Sequence, residues 1–112
     1  MAALAVMAGA FGAHGLKSQI SPEMLVVYET GARYHLAHAL GLLAVGLAAD
    51  RHPSAILDMG GWLLVAGIVL FSGSLYALAI TGNPALGMIT PLGGTAWIIG
   101  WIVLGVATQR QR

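Results

Sequence analysis

The chain has 112 residues, of which 58% are hydrophobic and only 8% are charged. A soluble domain carries about 25% charged residues, so this composition excludes a surface that faces water on all sides. The formal net charge of +1 and the lack of a basic run give no basis for nucleic-acid binding. The absence of cysteine excludes disulfides, thiolate metal sites and cysteine nucleophiles. We therefore expect an integral membrane protein.

The first predicted helix covers about residues 2–15 and is almost entirely apolar. Lys17 follows the apolar run instead of preceding it, so the run lacks the order of a signal peptide and is interpreted as a retained helix. The helix is short for a membrane span. An upstream natural start, a tilt and an incomplete span are the three explanations left open. Gly9 and Ala13 are spaced for a close contact with another helix.

The second predicted helix covers about residues 22–49. Ser21 is a typical N-cap and Pro22 suits the first helical position. The helical period divides this segment into two faces. The leucine face contains Leu36, Leu40, Leu43 and Leu47, and the opposite face contains Gly31, Tyr34, His35, His38 and Gly41. We expect the leucine face to contact lipid and the other face to contact helices, because polar groups are costly against hydrocarbon.

The third and fourth predicted helices cover about residues 55–80 and 91–108, the fourth with Thr90 as its cap. The predicted fold is all-α: a four-helix transmembrane bundle of up-down topology with short loops, forming a single membrane domain over residues 1–112. The glycines expected at helix contacts are Gly9, Gly31, Gly41, Gly60, Gly67, Gly93 and Gly100. Helices one and two also resemble helices three and four, with Phe11–Leu16 corresponding to Phe71–Tyr76.

Basic residues predict the orientation of this fold. Four spans place both termini and the second loop on one side of the membrane. That side has Arg51, Arg110 and Arg112, whereas the other side has Lys17. The positive-inside rule therefore predicts a multi-pass protein of the inner (cytoplasmic) membrane, or its organelle equivalent, with both termini cytoplasmic.

Four ordered motifs resemble those of one family. They are Ala10–Leu16, Tyr34–His35 with His38–Leu40, Phe71–Tyr76, and Thr90–Gly94 with Gly100–Trp101. On these residues, nearly the whole chain resembles the YgdD-like family of small membrane proteins, the domain of unknown function 423. The resemblance implies a small multispan membrane protein whose motifs form the functional core. It implies no known activity.

Polar residues of these motifs are predicted to converge near the outer leaflet, about 24–26 Å above the cytoplasmic ends of their helices. The candidate ligand-binding residues are His14, Arg33, Tyr34, His35, His38, Ser72, Ser74, Tyr76 and Thr90. One interpretation is interhelical hydrogen bonding. A second is a small-molecule or lipid site, with Arg33 near a phosphate. A third is a haem or metal site at His14, His35 and His38, and a fourth is a proton relay through His35 and His38.

The sequence contains no convincing catalytic set. No carboxylate lies on the inward helix faces to complete a Ser-His-Asp arrangement or to orient a ligand histidine, so we predict neither a catalytic residue nor a bound metal or other cofactor. The leading functional prediction is a non-enzymatic accessory or assembly subunit of a larger inner-membrane complex. Its expected partners are membrane lipids and other transmembrane subunits, or a second copy. The alternative is a haem-, metal-, quinone- or lipid-binding protein that uses His14, Tyr34, His35 and His38.

Overall fold

The computed structural model describes residues 1–112 and contains helices without strands. The main helices are α1 (Ala2–Leu16), α2 (Pro22–Arg51), α3 (Ala55–Thr81) and α4 (Thr90–Arg110). A 3₁₀ turn over Pro84–Met88 precedes α4. The predicted all-α class is confirmed, and α2 and α4 run slightly past the ends that the sequence predicts.

Local sequence sets most helix ends. The Ser21 hydroxyl accepts the Met24 N–H at 3.2 Å, and Pro22 opens α2. Gly82 ends α3 with a φ of 70°, which favours glycine. The prediction that Thr90 caps the last helix is wrong. Thr90 is the first residue of α4, which has no side-chain cap, because the Thr90 hydroxyl bonds to a side chain of α3 instead.

The helices form a flattened array with extents of 50 × 26 × 14 Å. The central pair is α2 and α3; α1 packs against α2 on one edge, and α4 packs most extensively against α3 on the other. The larger apolar core, between α3 and α4, contains Leu57, Leu64, Ile68, Trp97, Leu104 and Ala107. A smaller core contains Leu16, Tyr28 and Ala79. The molecule is thin, so most side chains reach its surface.

Two of the four helical segments, Ala55–Thr81 and Pro84–Arg110, are long and apolar enough to cross a membrane. By contrast, α1 is only about 22 Å long, less than a hydrocarbon core of about 30 Å. The first half of α2 carries charged residues, which lowers its hydropathy. At the opposite end, the Gln111 side chain donates to the His52 carbonyl at 3.4 Å, so the C-terminal tail lies beside the α2–α3 turn.

Six of the seven candidate packing glycines lie at close helix contacts, namely Gly31, Gly41, Gly60, Gly67, Gly93 and Gly100. At Gly93, a Cβ atom would overlap the backbone of Phe71. Gly9 is the exception, and its assignment as a packing residue is wrong. A Cβ atom at Gly9 would meet no atom within 4 Å, because α1 turns Ala5 and Gly12 toward the protein interior instead.

Two helical hairpins, α1–α2 and α3–α4, are built alike. Each first helix contains a π turn, over Gly12–Leu16 in α1 and over Ile68–Ser72 in α3. The first N–H of each π turn bonds to the carbonyl four residues earlier, Ala8 or Leu64, and to the next carbonyl. The predicted repeat is therefore present in the geometry. The predicted alignment of the first hairpin with the second is wrong by four residues, because Gly12 corresponds to Ile68 and not to Ser72.

The second helix of each hairpin supplies one aromatic donor at the same place. The Tyr28 hydroxyl donates to the Ala8 carbonyl at 2.7 Å, and the Trp97 indole N–H donates to the Leu64 carbonyl at 3.1 Å. Each aromatic ring also lies where the Cβ atom of a facing glycine would be. A carbonyl before a π turn, a facing glycine and an aromatic donor therefore define the internal repeat.

We predict that Gly93→Ala destabilises the protein by about 1–3 kcal/mol, because the new methyl group would meet backbone that cannot rotate away. Gly105→Ala is the matched control on the same helix, since a Cβ atom there meets nothing within 4 Å. The control should unfold at the wild-type temperature or slightly above it. Thermal unfolding in detergent, followed by circular dichroism, measures both variants. Equal melting temperatures would contradict the close contact.

Candidate functional site

The candidate polar residues form separate pairs between helices and do not share one pocket. The structure has four surface cavities, and none is lined by any of the nine candidate residues. Instead, the buried members bond to other side chains and to backbone carbonyls, some in their own helix and some in a neighbouring helix.

His38 has hydrogen-bond partners at both ring nitrogens. Its Nδ1 lies 2.8 Å from the Tyr34 carbonyl oxygen, and its Nε2 lies 3.1 Å from the Trp101 indole nitrogen. A carbonyl only accepts and an indole N–H only donates, so Nδ1 carries the proton and Nε2 carries the lone pair. The geometry thus assigns a neutral imidazole. Metal ligation or proton transfer by His38 would require one of these two bonds to break.

The His38 ring also belongs to an aromatic cluster between α2, α3 and α4, made of Tyr34, His38, Phe71, Trp97 and Trp101. Its tightest contact is between the parallel rings of His38 and Trp97, whose centroids are 3.7 Å apart. Tyr34 and Phe71 lie against Trp97 at 5.8 Å and 4.6 Å. Tyr34 is 44% exposed and Trp101 47% exposed, so the cluster reaches the lateral surface.

The candidate residues inferred from the sequence omit Phe71, Trp97 and Trp101. One signal points to the two tryptophans. Tyr34 and His38 are four residues apart on α2, and Trp97 and Trp101 are four apart on α4, so two matched pairs can face each other across one helix contact.

His35 has a different environment. The side chain is 6% exposed, and its Nδ1 bonds to the Tyr76 hydroxyl at 3.0 Å. Its Nε2 is the only buried side-chain nitrogen or oxygen that has no hydrogen-bond partner. The Tyr76 ring packs against Tyr28 at 4.8 Å, which places Tyr28, another residue absent from the candidates, in the same group. Burying an imidazole nitrogen without a partner is costly, so this atom requires an explanation.

Hydroxyl groups join α3 to both of its neighbours. The fully buried Ser72 donates to the Gly31 carbonyl of α2 at 2.7 Å. Ser74 donates to the Phe71 carbonyl at 2.9 Å and lies 2.6 Å from the Thr90 hydroxyl of α4. Because Ser74 has a single proton, Thr90 is the donor in the second bond. These contacts correspond to the interhelical hydrogen bonding considered for the sequence.

His14 and Arg33 lie apart from these pairs, and both side chains are exposed. No group of three histidine, aspartate or glutamate side chains is arranged to hold a metal ion. The hypothesis that His14 joins His35 and His38 at one metal is therefore wrong. The physical reason is that His14 lies on the π turn of α1 with its side chain directed outward, whereas the other two histidines are buried on α2.

The internal repeat shows which of these features packing requires. Counted from the proline of each second helix, the buried positions match between hairpins. Tyr28, Gly31, His35 and His38 of α2 correspond to Trp97, Gly100, Leu104 and Ala107 of α4. The second hairpin thus buries a leucine and an alanine where the first buries two histidines. Packing at these positions does not require an imidazole ring.

Comparison with known proteins agrees with the motifs. Residues 8–94 match the family described as "Protein of unknown function (DUF423)". The chain belongs to this family. The DUF423 resemblance expected from the motifs is confirmed, and each motif contributes residues to the helix contacts described above. No solved structure matches the chain.

Several relatives of this chain are named as membrane proteins. UPF0382 membrane protein YwdK of Bacillus subtilis (strain 168) is 54% identical over 110 residues, which are 97% of this chain and 89% of that protein. UPF0382 membrane protein SERP0230 of Staphylococcus epidermidis is 50% identical over 109 residues, 97% of this chain and 88% of that protein. UPF0382 membrane protein SSP2132 of Staphylococcus saprophyticus is 48% identical over 107 residues, which are 96% of this chain and 88% of that protein.

The bond between His38 and Trp101 predicts a measurable coupling. We expect His38→Phe and Trp101→Phe each to destabilise the protein, and the double variant to be less destabilised than the sum by about 0.6 kcal/mol, because either change alone already removes the shared bond. Unfolding free energies in detergent measure the cycle. Trp62→Phe, at a tryptophan that is 72% exposed, is the control and should be additive with His38→Phe. A coupling of zero at Trp101 would contradict the assigned tautomer.

Proposed function

We propose that this DUF423 chain is a non-enzymatic accessory or assembly subunit of a larger inner-membrane complex. The observation that carries the proposal is the use of its motif side chains. His38, Ser72 and Ser74 spend their hydrogen-bonding groups on contacts inside the molecule. An active site needs an available nucleophile, base or acid beside a pocket for substrate. The motif imidazoles that remain free, at His14 and at the Nε2 of His35, line none of the four cavities.

The lateral surface supports a role in association. Only 22 of the 112 residues are buried, so each helix presents a long apolar side to its surroundings. Along the leucine face of α2, the exposed fractions of Leu36, Leu40, Leu43 and Leu47 are 40%, 54%, 60% and 61%. Such surfaces contact lipid, other transmembrane subunits or a second copy of the chain. These are the partners that we propose.

The relatives and the distribution of charge support the proposed location. Proteins that share 48–54% of their residues with this chain are named membrane proteins, and two helical segments can span a membrane. We extend this to a multi-pass protein of the inner membrane. The α2–α3 turn and the C-terminal tail contain Arg51, Arg110 and Arg112, whereas Lys17 lies in the α1–α2 turn. The positive-inside rule supports cytoplasmic termini.

Ligand binding is the second candidate function, and one atom favours it. The Nε2 of His35 is buried without a partner, in a position that the second hairpin fills with leucine. A quinone carbonyl or a lipid hydroxyl would satisfy this nitrogen. For this alternative, His35 carries the binding role, while His38 is held by two internal bonds and His14 is exposed.

Photocrosslinking in native membranes tests the subunit role. A photoreactive amino acid at exposed Leu40 or Ile98 should crosslink to one partner at a fixed ratio, because these side chains face outward. The same group at Leu64, which is 0% exposed, is the control and should not crosslink. The native mass in mild detergent should exceed that of an 11.5 kDa monomer. A monomeric mass and no specific crosslink would contradict the subunit role.

A visible spectrum and lipid extraction of the same sample separate the two candidates. A chromophore or quinone that remains with wild-type protein and is lost in His35→Leu would favour ligand binding. Leucine is the matched replacement because the equivalent position of α4 is Leu104.

A further inference from the structure

An apolar groove lies between α2 and α3, on the half of the molecule that contains the α2–α3 turn. Its volume is about 240 Å³. The lining residues are Leu42, Val45, Gly46, Ala49, Asp58, Gly61, Trp62 and Val65. None of them belongs to the aromatic cluster or to the His35 group. We call this feature the Asp58 groove.

Asp58 is the single charged residue of the Asp58 groove. It lies in the first turn of α3, where its side chain is exposed. All the other lining residues are apolar or glycine. A charge at one end and an apolar wall along the rest match the shape of a lipid, whose charged headgroup adjoins an acyl chain.

Trp62 indicates the level at which the Asp58 groove lies in the membrane. It lies four residues, about 6 Å, beyond Asp58 along α3 and is 72% exposed. Tryptophan rings of membrane proteins concentrate at the headgroup level. Asp58 therefore lies at or just outside that level, and Leu42 and Val65 lie deeper, beside the acyl chains. The order of these residues follows the order of groups in a phospholipid.

Glycine makes the groove open. At Gly46, a Cβ atom would meet no atom within 4 Å, so the missing side chain is replaced by free space. At Gly61, a Cβ atom would lie 3.2 Å from Val45, so this glycine lets the groove floor approach α2. A leucine at Gly46 would occupy the space without disturbing a helix contact.

We propose that the Asp58 groove binds a zwitterionic aminophospholipid, with its primary ammonium at the Asp58 carboxylate and one acyl chain against α2 and α3. A primary ammonium has three N–H donors, and a carboxylate is an acceptor with the opposite charge. A choline headgroup has the charge without N–H donors, and an anionic glycerol headgroup would be repelled. The site is separate from the partner-binding role and does not depend on it.

Native mass spectrometry of the full chain, released from membranes of equal parts phosphatidylethanolamine, phosphatidylcholine and phosphatidylglycerol, tests the headgroup. We expect one retained lipid, with ethanolamine preferred. Asp58→Asn should lower the ethanolamine preference about threefold, a size typical of a partly exposed charge pair. Asp50→Asn is the matched control beyond the groove and should keep the preference. Equal retention of the three lipids by wild type, or an unchanged preference in Asp58→Asn, would overturn the proposal.

A second pair of variants tests the acyl chain. Gly46→Leu should abolish retention of the lipid, while Gly105→Leu, at a glycine with equally free surroundings on α4, should retain it. Circular dichroism should show the same helix content and melting temperature for both variants, since neither position contacts another helix. Retention of the lipid by Gly46→Leu would place it elsewhere on the surface and overturn the site.

Discussion

The contact of Trp97 with Gly67 is the interaction on which most of this structure depends. The indole ring occupies the space of a side chain on α3, and its N–H bonds to the Leu64 carbonyl. The same ring lies parallel to the His38 ring of α2. One side chain therefore joins three helices and satisfies its own donor where little water is available. In an apolar solvent the hydrophobic drive between helices is weak, so close packing of this kind must supply the association.

The first hairpin uses the same device, with Tyr28 over Gly12 and a bond to Ala8. Comparing the two hairpins shows which features helix packing requires in both and which occur in only one. Both hairpins need the glycine, the aromatic donor and the π turn. Only the first hairpin buries imidazoles, and a buried polar group costs free energy unless it is fully bonded. His38 meets that condition and His35 does not. The unpaired His35 nitrogen therefore lowers the stability of the first hairpin, whereas the second hairpin has a leucine at the equivalent position.

Sequence periodicity predicted the features that depend on one helix at a time. The leucine face of α2, the Ser21 cap and the order of four helices follow from spacing and local chemistry. The partner of His38 could not be predicted in this way, because Trp101 lies 63 residues further along the chain. The prediction that Gly9 lies at a helix contact is wrong for a related reason. Small-residue spacing shows that a close contact is possible, but the rotation of α1 decides whether another helix lies opposite.

The division between interior and surface indicates where specificity can lie in so small a protein. Interior polar groups are almost all committed to helix contacts, so changing them alters the fold before it alters recognition. The surface is mostly apolar and offers few directional groups to a partner or lipid. The polar groups that helix contacts leave free include the unpaired His35 nitrogen, the half-exposed Tyr34 and the Asp58 carboxylate at the edge of an apolar groove. Because these three groups lie at different places in the molecule, each side chain can be changed without disturbing the surroundings of the other two.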